Sequence, residues 1–455
     1  MTSAEIAVDV VVIGMGPGGE DVAGKLAEAG LAVVGIDEQL VGGECPYWGC
    51  VPSKMMIRAA NLLAEGRRIG GVAGSSVVEP DWSFVADRIR SEATDDWDDT
   101  VAVERFTGKG GTFVRGRGRL VERDLVEVGD QLFRARRGVV LGTGTVSAIP
   151  PIDGLAGSPF WTNREAIAAT ERPESLIVLG GGAIGVELAQ VFARFGSKVS
   201  IVEAADRLLP LEEPESGELL AQVFTAEGMA VHAGVAAREV RHDGSMFTVD
   251  LADGTSLRAS RLLVATGRKA EPDRVGASVA GVASDARWVP VDDHLRVTDG
   301  VWAVGDLTGE GAFTHIAMYQ SAIAVADILG HEHEPADYRA LPRVTFTDPE
   351  VGSVGLTEQA AREAGIEVAV GIAQVPATSR GWLHKTGNEG IIKVVADRRR
   401  EILVGATSAG PAGGEVLGLL VLAVHAQIPI STLRSMIYAY PTFHRGIEDA
   451  LRDLR

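Results

Sequence analysis

The chain has 455 residues, too many for one hydrophobic core, so about three units of ~100–200 residues each are expected. Its apolar content of 46% is ordinary, and its 56 glycines, more than the usual ~7%, gather at strand ends as tight turns do. A formal charge of −19 excludes a nucleic-acid partner, because neutralising phosphates requires a basic surface.

From the N-terminus, Met1 to Val8 holds no Lys or Arg ahead of its apolar stretch and runs directly into a strand, so no signal peptide is expected. The run Val10-Val-Val-Ile-Gly-Met-Gly-Pro-Gly-Gly19 reads as an apolar strand followed by Gly-x-Gly-x-x-Gly. A helical pattern from Val22 to Ala29 and a second strand ending in Asp37 complete a βαβ unit. The same pattern returns at Leu176-Ile-Val-Leu-Gly-Gly-Gly-Ala-Ile-Gly185, with a helix over Val186 to Phe195 and a strand ending in Glu203. Gly14 to Asp37 and Gly180 to Glu203 both span 23 positions. One such fingerprint is a weak signal, whereas two with matched spacing point firmly to two dinucleotide sites. In each, the first glycine permits the tight turn, the second lets backbone approach a pyrophosphate, and the third lets helix and strand pack closely. The helix N-terminus supplies N–H groups for the anion, and the acid accepts from ribose hydroxyls.

Between the fingerprints lies Gly42-Gly-Glu-Cys45-Pro-Tyr-Trp-Gly-Cys50-Val-Pro-Ser-Lys54, with the only two cysteines of the sequence. Two cysteines are too few for a secreted disulfide scaffold, so a reducing, cytoplasmic compartment and a catalytic pair are expected. Ser53 to Ala60 favours helix, and a helix start with Lys54 nearby lowers a thiol pKa and creates a usable thiolate. Further strands end in Val139-Val-Leu-Gly-Thr-Gly144, Leu262-Leu-Val-Ala-Thr-Gly267 and Val301-Trp-Ala-Val-Gly-Asp306. Small residues there admit a nucleotide, and Asp306 is suited to accept from sugar-like hydroxyls.

Pro150-Pro151 and the polar stretch His331-Glu-His-Glu-Pro335 read as linkers, the histidines as solvated loop residues, and no metal site is expected. Beyond them, strand-like segments Arg343 to Phe346, Gly390 to Ala396 and Ile402 to Ser408 alternate with helical Thr357 to Ala364 and Gly413 to Ala426, an α+β pattern. The apolar run Val416 to Ile430 is broken by Gly418, His425, Gln427 and Pro429, too short to span a bilayer, and reads as a buried helix. The expected division is a first nucleotide domain over 1–150, a second over 151–283 inserted in the first, a return segment over 284–335, and a C-terminal domain over 336–455.

These motifs together resemble the pyridine nucleotide–disulfide oxidoreductase family, the flavoproteins that include dihydrolipoyl dehydrogenase, glutathione reductase and mercuric reductase. The similarity runs over essentially the whole length and includes Phe346-Thr-Asp-Pro-Glu-Val-Gly-Ser-Val-Gly-Leu356, which resembles the opening of the family's dimerisation domain. The resemblance implies an α/β fold with two Rossmann-like domains, for FAD and NAD, and a C-terminal α+β domain that forms a homodimer. It implies FAD on Gly14, Gly16 and Gly19, with Asp37 on the adenosine ribose, Gly118 by the adenine, Thr143 and Gly144 near the flavin side, and Asp306 on the ribityl and pyrophosphate region. Glu38, Gly43, Lys54 and Thr314 complete that set. It implies the nicotinamide nucleotide on Gly180, Gly182, Gly185, Glu203, Val235 and Gly267. Cys50 would stack on the flavin, Cys45 would be the outer, exchanging thiol, and Lys54 and Glu187 would be the ion pair beside flavin N5. Glu187 also reads as a first-turn acid stabilised by the helix dipole alone. Glu203 favours NAD(H) over NADP(H), since a carboxylate bonds a free 2′-hydroxyl and repels a 2′-phosphate. Arg207 softens that preference unless it is a solvated surface residue.

The C-terminus departs from the family's His-Pro-Thr-x-x-Glu signature. The aligned stretch is Tyr440-Pro-Thr-Phe-His-Arg445, with Tyr440 in the histidine position and Arg445 in the glutamate position. A phenol titrates near 10 and is a poor proton shuttle at neutral pH. His444 and Glu448, four apart on an expected helix, are a possible displaced acid–base pair, or else His444 is an ordinary surface histidine. The alternative is an acceptor that needs no imidazole, such as a soft metal ion or a quinone. No cysteine pair occurs near Leu451–Arg455, unlike mercuric reductases. Three readings stay open: an NADH-dependent reductase acting through the thiols on a small-molecule acceptor, a flavin-direct quinone reductase, and a redox-responsive binding subunit. None involves a membrane.

Overall fold

The computed structural model of the chain describes residues 4–455. Two compact units are present. The first gathers the chain up to Pro52, Asp87–Ala148 and Gly267–Asp337. Its main sheet runs, in spatial order, Arg296–Thr298, Val301–Ala303, Gln131–Leu141, Glu5–Ile13, Val33–Asp37 and Thr112–Arg115. All neighbours are parallel except the first pair. Along the central strand, Val10 and Val12 pack with Val22, Leu26, Phe106 and Ile323. Val11 and Ile13 point the other way, into a core with Leu120, Val126, Phe133 and Val301. A parallel strand covered on both faces needs apolar residues at every position, which is why Val10 to Ile13 reads as an unbroken run.

Ala270, Val275, Ala277, Ala280 and Val282, which precede the expected junction at 283/284, pack into this second core of the first unit. Helices Pro17–Glu28 and Thr314–Leu329 approach closely at Gly18, where a Cβ would stand 3.2 Å from that of Ala317. The second helix ends on Gly330 at φ 75°, a left-handed cap that glycine adopts without strain.

The second unit comprises Ser53–Ala86, Ile149–Thr266 and Tyr338–Arg455. It carries a parallel sheet in the order Ala230–Ala233, Lys198–Glu203, Ser175–Leu179, Arg261–Val264, and an antiparallel three-stranded sheet from Ala237 to Ala259. Its C-terminal part is a five-stranded antiparallel sheet, Pro342–Thr345, Glu350–Gly355, Ile402–Gly410, Ile391–Asp397 and Val368–Gln374, packed with helices Gly413–His425 and Gly446–Arg452. The α/β class with a C-terminal α+β part is as expected. Strands Glu350–Gly355 and Val368–Gln374 were not expected as strands, because Gly352, Gly355 and Gly371 interrupt their apolar patterns.

The helix expected to be buried is buried on one face only. Leu417, Leu420 and Val424 enter the core, while Leu422 is exposed, as are Ile437 and Tyr440 further on.

Lys393, 2% exposed, holds Glu213 at 2.9 Å, Glu215 at 2.8 Å and Glu358 at 3.0 Å. Burial works against its charge, yet the bonds to Glu213 and Glu215 hold its pKa above the usual lysine value. Its folded pKa being raised, this contribution to stability is complete below the ordinary lysine pKa of about 10.4 and is lost as pH rises through the folded value. Lys393→Met leaves the equally buried Glu213 unpaired, and urea unfolding at pH 7 is expected to show a loss of about 3–5 kcal/mol.

Candidate active site

The two fingerprints are built alike, each within its own unit. Gly14 and Gly180 sit at φ +94° and +108°, where a Cβ would stand 2.5 Å from Gly142 and 2.3 Å from Ala265. At the third glycines, Gly19 and Gly185, a Cβ would stand 1.9 and 2.0 Å from the carbonyl oxygen of the first glycine. The middle glycines differ: Gly16 has its nearest neighbour at 3.9 Å and Gly182 has none within 4 Å. Both middle glycines are N-caps, of Pro17–Glu28 and Ala183–Arg194, and neither helix start receives a side-chain cap. The loops are thus closed by protein on two sides and clear on the third, with unpaired helix N–H groups there, which fits a pyrophosphate.

The acid at the end of each second strand is held in the same way. Asp37 accepts from the Met15 and Gln39 N–H groups, both at 2.7 Å, and Glu203 accepts from Gly181 at 2.6 Å and Ala205 at 2.7 Å. Burial pushes the Asp37 carboxyl up, opposed by those two N–H bonds. Glu38, expected among the FAD residues, is engaged by Arg117 at 3.1 Å and Arg274 at 2.6 Å. Asp306, in a short turn after the Val301–Ala303 strand, accepts from Thr145 Oγ1 at 3.0 Å. Its carboxyl is pushed up by burial, with Arg268 and Thr145 acting against the shift. Arg268 donates to Thr145 Oγ1 and to its carbonyl, both at 2.7 Å, an anchoring that the sequence did not reveal.

Cys45 lies in the short helix Glu44–Tyr47, and Cys50 is the first residue of the helix Cys50–Arg67. Cys50 Sγ lies 3.4 Å from Oγ1 of Thr314, itself the first residue of Thr314–Leu329. Two helix N-termini and a hydroxyl able to donate therefore meet at one sulfur, a setting that favours the thiolate. The segment ahead of the thiols is fixed to the first phosphate loop. Gly42 N–H donates to the Met15 carbonyl at 2.7 Å, and Gly43, at φ +64°, is so close to Gly16 that a Cβ would stand 2.8 Å from its Cα. Trp48, between the thiols, stacks on Trp97 with ring centroids 5.3 Å apart.

In the second unit Lys54 Nζ lies 2.9 Å from Glu187 Oε2 and 4.6 Å from the Phe346 ring centroid. Glu187 Oε1 accepts from the Phe346 N–H at 2.8 Å. The reading of Glu187 as a first-turn acid is corrected: it is the fifth residue of Ala183–Arg194, whose first turn holds no acid, and both its oxygens are engaged. Arg207 is tied to Asp206 at 3.0 Å and to the Pro210 carbonyl at 3.1 Å.

The sequence model of the pyridine nucleotide-disulphide oxidoreductases matches residues 8–323, and that of their dimerisation domain matches 341–451. The chain belongs to this family. It is therefore an FAD-dependent oxidoreductase that uses a pyridine nucleotide, and its dimerisation domain implies a homodimer. It is 34% identical to the dihydrolipoyl dehydrogenase of Chlorobaculum tepidum over 98% of this chain and 96% of that one. It is 31% identical to a mercuric reductase of Streptomyces lividans, again over 98% and 96%. Among solved structures, the HOCl-induced flavoprotein disulfide reductase RclA of Escherichia coli, in its Cu(II) complex, superposes with a TM-score of 0.86 at 26% identity, covering 98% of this chain and 99% of RclA. Among the described residues no helix is long and apolar enough to cross a membrane.

The C-terminal region of this oxidoreductase differs from the expected arrangement. His444 and Glu448 do not share a helix: His444 lies in the turn Phe443–Arg445 and Glu448 in Gly446–Arg452. The tighter turn passes directly into that helix through Arg445 and Gly446, both with helical dihedral angles, and Gly446 packs where a Cβ would stand 2.8 Å from Ile392. Glu448 is engaged by Arg445 at 3.2 Å and by Arg452. Arg445 also lies over the ring of Tyr440, 5.4 Å from its centroid, and Tyr440 is 68% exposed. Of the remaining residues, Thr143 is exposed, Gly144 and Gly267 sit at φ +64° and +112°, and Val235 N–H donates to the Glu203 carbonyl at 3.2 Å. Gly118 is buried, and a Cβ there would stand 3.0 Å from Ile13 and 3.2 Å from Ile36, so packing favours a residue without a side chain. His331 is exposed as expected of a linker, but His333 is not solvated: its side chain is 12% exposed and faces His294 and Asp327.

Gly182→Ala meets no protein atom, and Gly185→Ala collides with the Gly180 carbonyl. The first is expected to keep the thermal midpoint and raise KM for NADH about tenfold or more, and the second to lower the midpoint itself. Calorimetry and initial rates read both effects.

Proposed function

We propose that this enzyme moves two electrons from NADH, by way of FAD, to the Cys45/Cys50 pair and on to a soft metal cation. FAD, when bound, supplies the two-electron carrier between nicotinamide and thiols. In this reading Gly14, Gly16, Gly19, Asp37 and Asp306 hold FAD, and Gly180, Gly182, Gly185 and Glu203 hold NADH. The observation that carries the thiol route is the placement of Cys50 Sγ at a helix start, 3.4 Å from the Thr314 hydroxyl. That environment keeps Cys50 as thiolate and leaves Cys45 to meet the acceptor. Lys54, held by Glu187, supplies fixed positive charge for the reduced state of the cofactor.

The acceptor is argued from the C-terminus. Dithiol–disulfide exchange with an organic disulfide requires a proton shuttle, and Tyr440, with Arg445 over its ring and Glu448 bound by two arginines, offers no histidine–carboxylate pair. A soft cation binds thiolates directly and takes electrons without protonation. Several relatives are mercuric reductases, which supports a soft cation that takes both electrons, and RclA was solved as a complex with Cu(II), a harder ion of which two would be reduced per NADH. A quinone is the second reading, favoured by the Trp48–Trp97 stack beside the thiols, which suits a planar ring. We assign the enzyme to the cytoplasm, where thiols stay reduced.

Anaerobic titration of the flavin-loaded enzyme with NADH, followed at long wavelength, tests for the thiolate beside an oxidised flavin. Cys45→Ser is expected to take up less NADH, to keep the rate of flavin bleaching, and to lower mercuric or cupric ion reduction about 100-fold or more. Metal reduction that survives this substitution removes the thiol route, and quinone reduction that alone survives it favours the second reading.

NADH is expected to exceed NADPH in kcat/KM by about tenfold or more, with Glu203→Ala narrowing the gap; faster reduction by NADPH overturns the assignment of Glu203.

A further inference from the structure

His294, Asp327 and His333 come from three separate places in the first unit. His294 precedes the strand Arg296–Thr298, Asp327 lies in the last turn of the helix Thr314–Leu329, and His333 is in the segment that follows this helix. Each offers one ligand atom, and these atoms all lie within 4.8 Å of one another. His294 Nδ1 and His333 Nε2 face each other at 3.4 Å, and His333 Nε2 lies 3.6 Å from Asp327 Oδ1.

The outward nitrogen of His333 is already occupied. His333 Nδ1 is 3.0 Å from the Glu334 carbonyl, which can only accept, so the proton of a neutral ring sits on Nδ1 and the lone pair of Nε2 points inward. His294 Nε2 lies 3.6 Å from Asp293 Oδ1, beyond hydrogen-bond reach, and its Nδ1 is the nitrogen turned toward His333 Nε2. Two ring nitrogens and a carboxylate oxygen thus face one another, the rings joined by a hydrogen bond, and both nitrogens become ligands once the shared proton leaves. Two ligands at about 2.0–2.1 Å from one tetrahedral ion stand roughly 3.3–3.4 Å apart, close to the spacing here. The outer contact of His333 is of the kind that orients ligating histidines. Asp327 is oriented too, by Trp302 Nε1 at 2.7 Å and Arg296 Nε at 2.7 Å, both on Oδ2.

We propose that His294, Asp327 and His333 form a binding site for a borderline divalent cation of the zinc(II) class, separate from the thiols. Two imidazoles and one carboxylate match that class and do not match calcium or magnesium, which take oxygen ligands. Arg296, which also donates to Asp327 Oδ1 at 2.5 Å, shares the carboxylate and withdraws part of its charge, so the ion is exchangeable. Once bound, it ties the 331–335 segment to the turn before Arg296 and to the end of the helix whose first residue is Thr314.

The test uses the full, FAD-loaded chain carrying Cys45→Ser and Cys50→Ser, so that the thiols bind no metal. Calorimetric titration with zinc chloride is expected to show one equivalent bound and a rise in the thermal midpoint. Adding His333→Gln, or separately His294→Gln, is expected to remove both effects while flavin content is unchanged, and His331→Gln to leave them. If the thiol-free chain takes up no zinc, or still binds it after both histidine substitutions, the proposal fails.

Discussion

The carbonyl of the first glycine in each fingerprint lies against the third glycine with no space for a side chain, and much else in the molecule follows from that contact. A Cβ at Gly19 or Gly185 would stand within 2.0 Å of the oxygen, so the loop turns back on itself and the helix begins at once. The helix then starts without a side-chain cap, leaving its N–H groups for an anion. Meanwhile the Cβ direction of the second glycine is left open. One steric constraint therefore produces both the turn and the vacancy above it, and the chain uses it twice.

The first of these loops also positions the thiols. Gly42 and Gly43 dock on Met15 and Gly16, so the chain that carries Cys45 and Cys50 begins from a point fixed on the phosphate loop. Asp99 reinforces the attachment by accepting from Val41 N–H at 2.6 Å while paired with Arg115 at 2.5 Å. Electrostatics then comes from the far side, through Thr314. Neither anchor lies in the cysteine motif itself, so the reactivity of the pair depends on residues distant in sequence.

This separation sets what the sequence could reveal. Strand, loop, helix and terminal acid lie within a short span, and their local requirements left readable marks in Val10 to Asp37 and Leu176 to Glu203. Family resemblance names Lys54 and Glu187 as an ion pair, and they lie 2.9 Å apart, but nothing in the sequence shows the second partner of Glu187, the Phe346 N–H, 159 positions away. The Cys50–Thr314 contact spans 264 positions, and no periodicity reports on such a meeting. At the C-terminus, spacing of four suggested that His444 faces Glu448, whereas His444 lies in a tighter turn that leads into the helix and Glu448 is paired with Arg445 and Arg452. His333 looked like solvent-facing linker because its neighbours are polar, and its burial arises from His294, 39 positions earlier.

The C-terminal change is best seen as a matter of charge pairing. Where the family's glutamate would orient a histidine, Arg445 instead stands over the Tyr440 ring and meets Glu448, and Arg452 holds Glu448 and Asp449. Two arginines and two carboxylates thereby pair with one another, and the phenol ring lies against a cation. A group arranged in this way serves as a surface and not as a proton relay. Selection for an organic disulfide would act on the relay, whereas an acceptor bound by sulfur alone leaves that position free to vary. The intact thiol, glycine and lysine–glutamate arrangements beside an altered relay are what an enzyme would retain if its electrons still passed through sulfur but its acceptor no longer needed a proton.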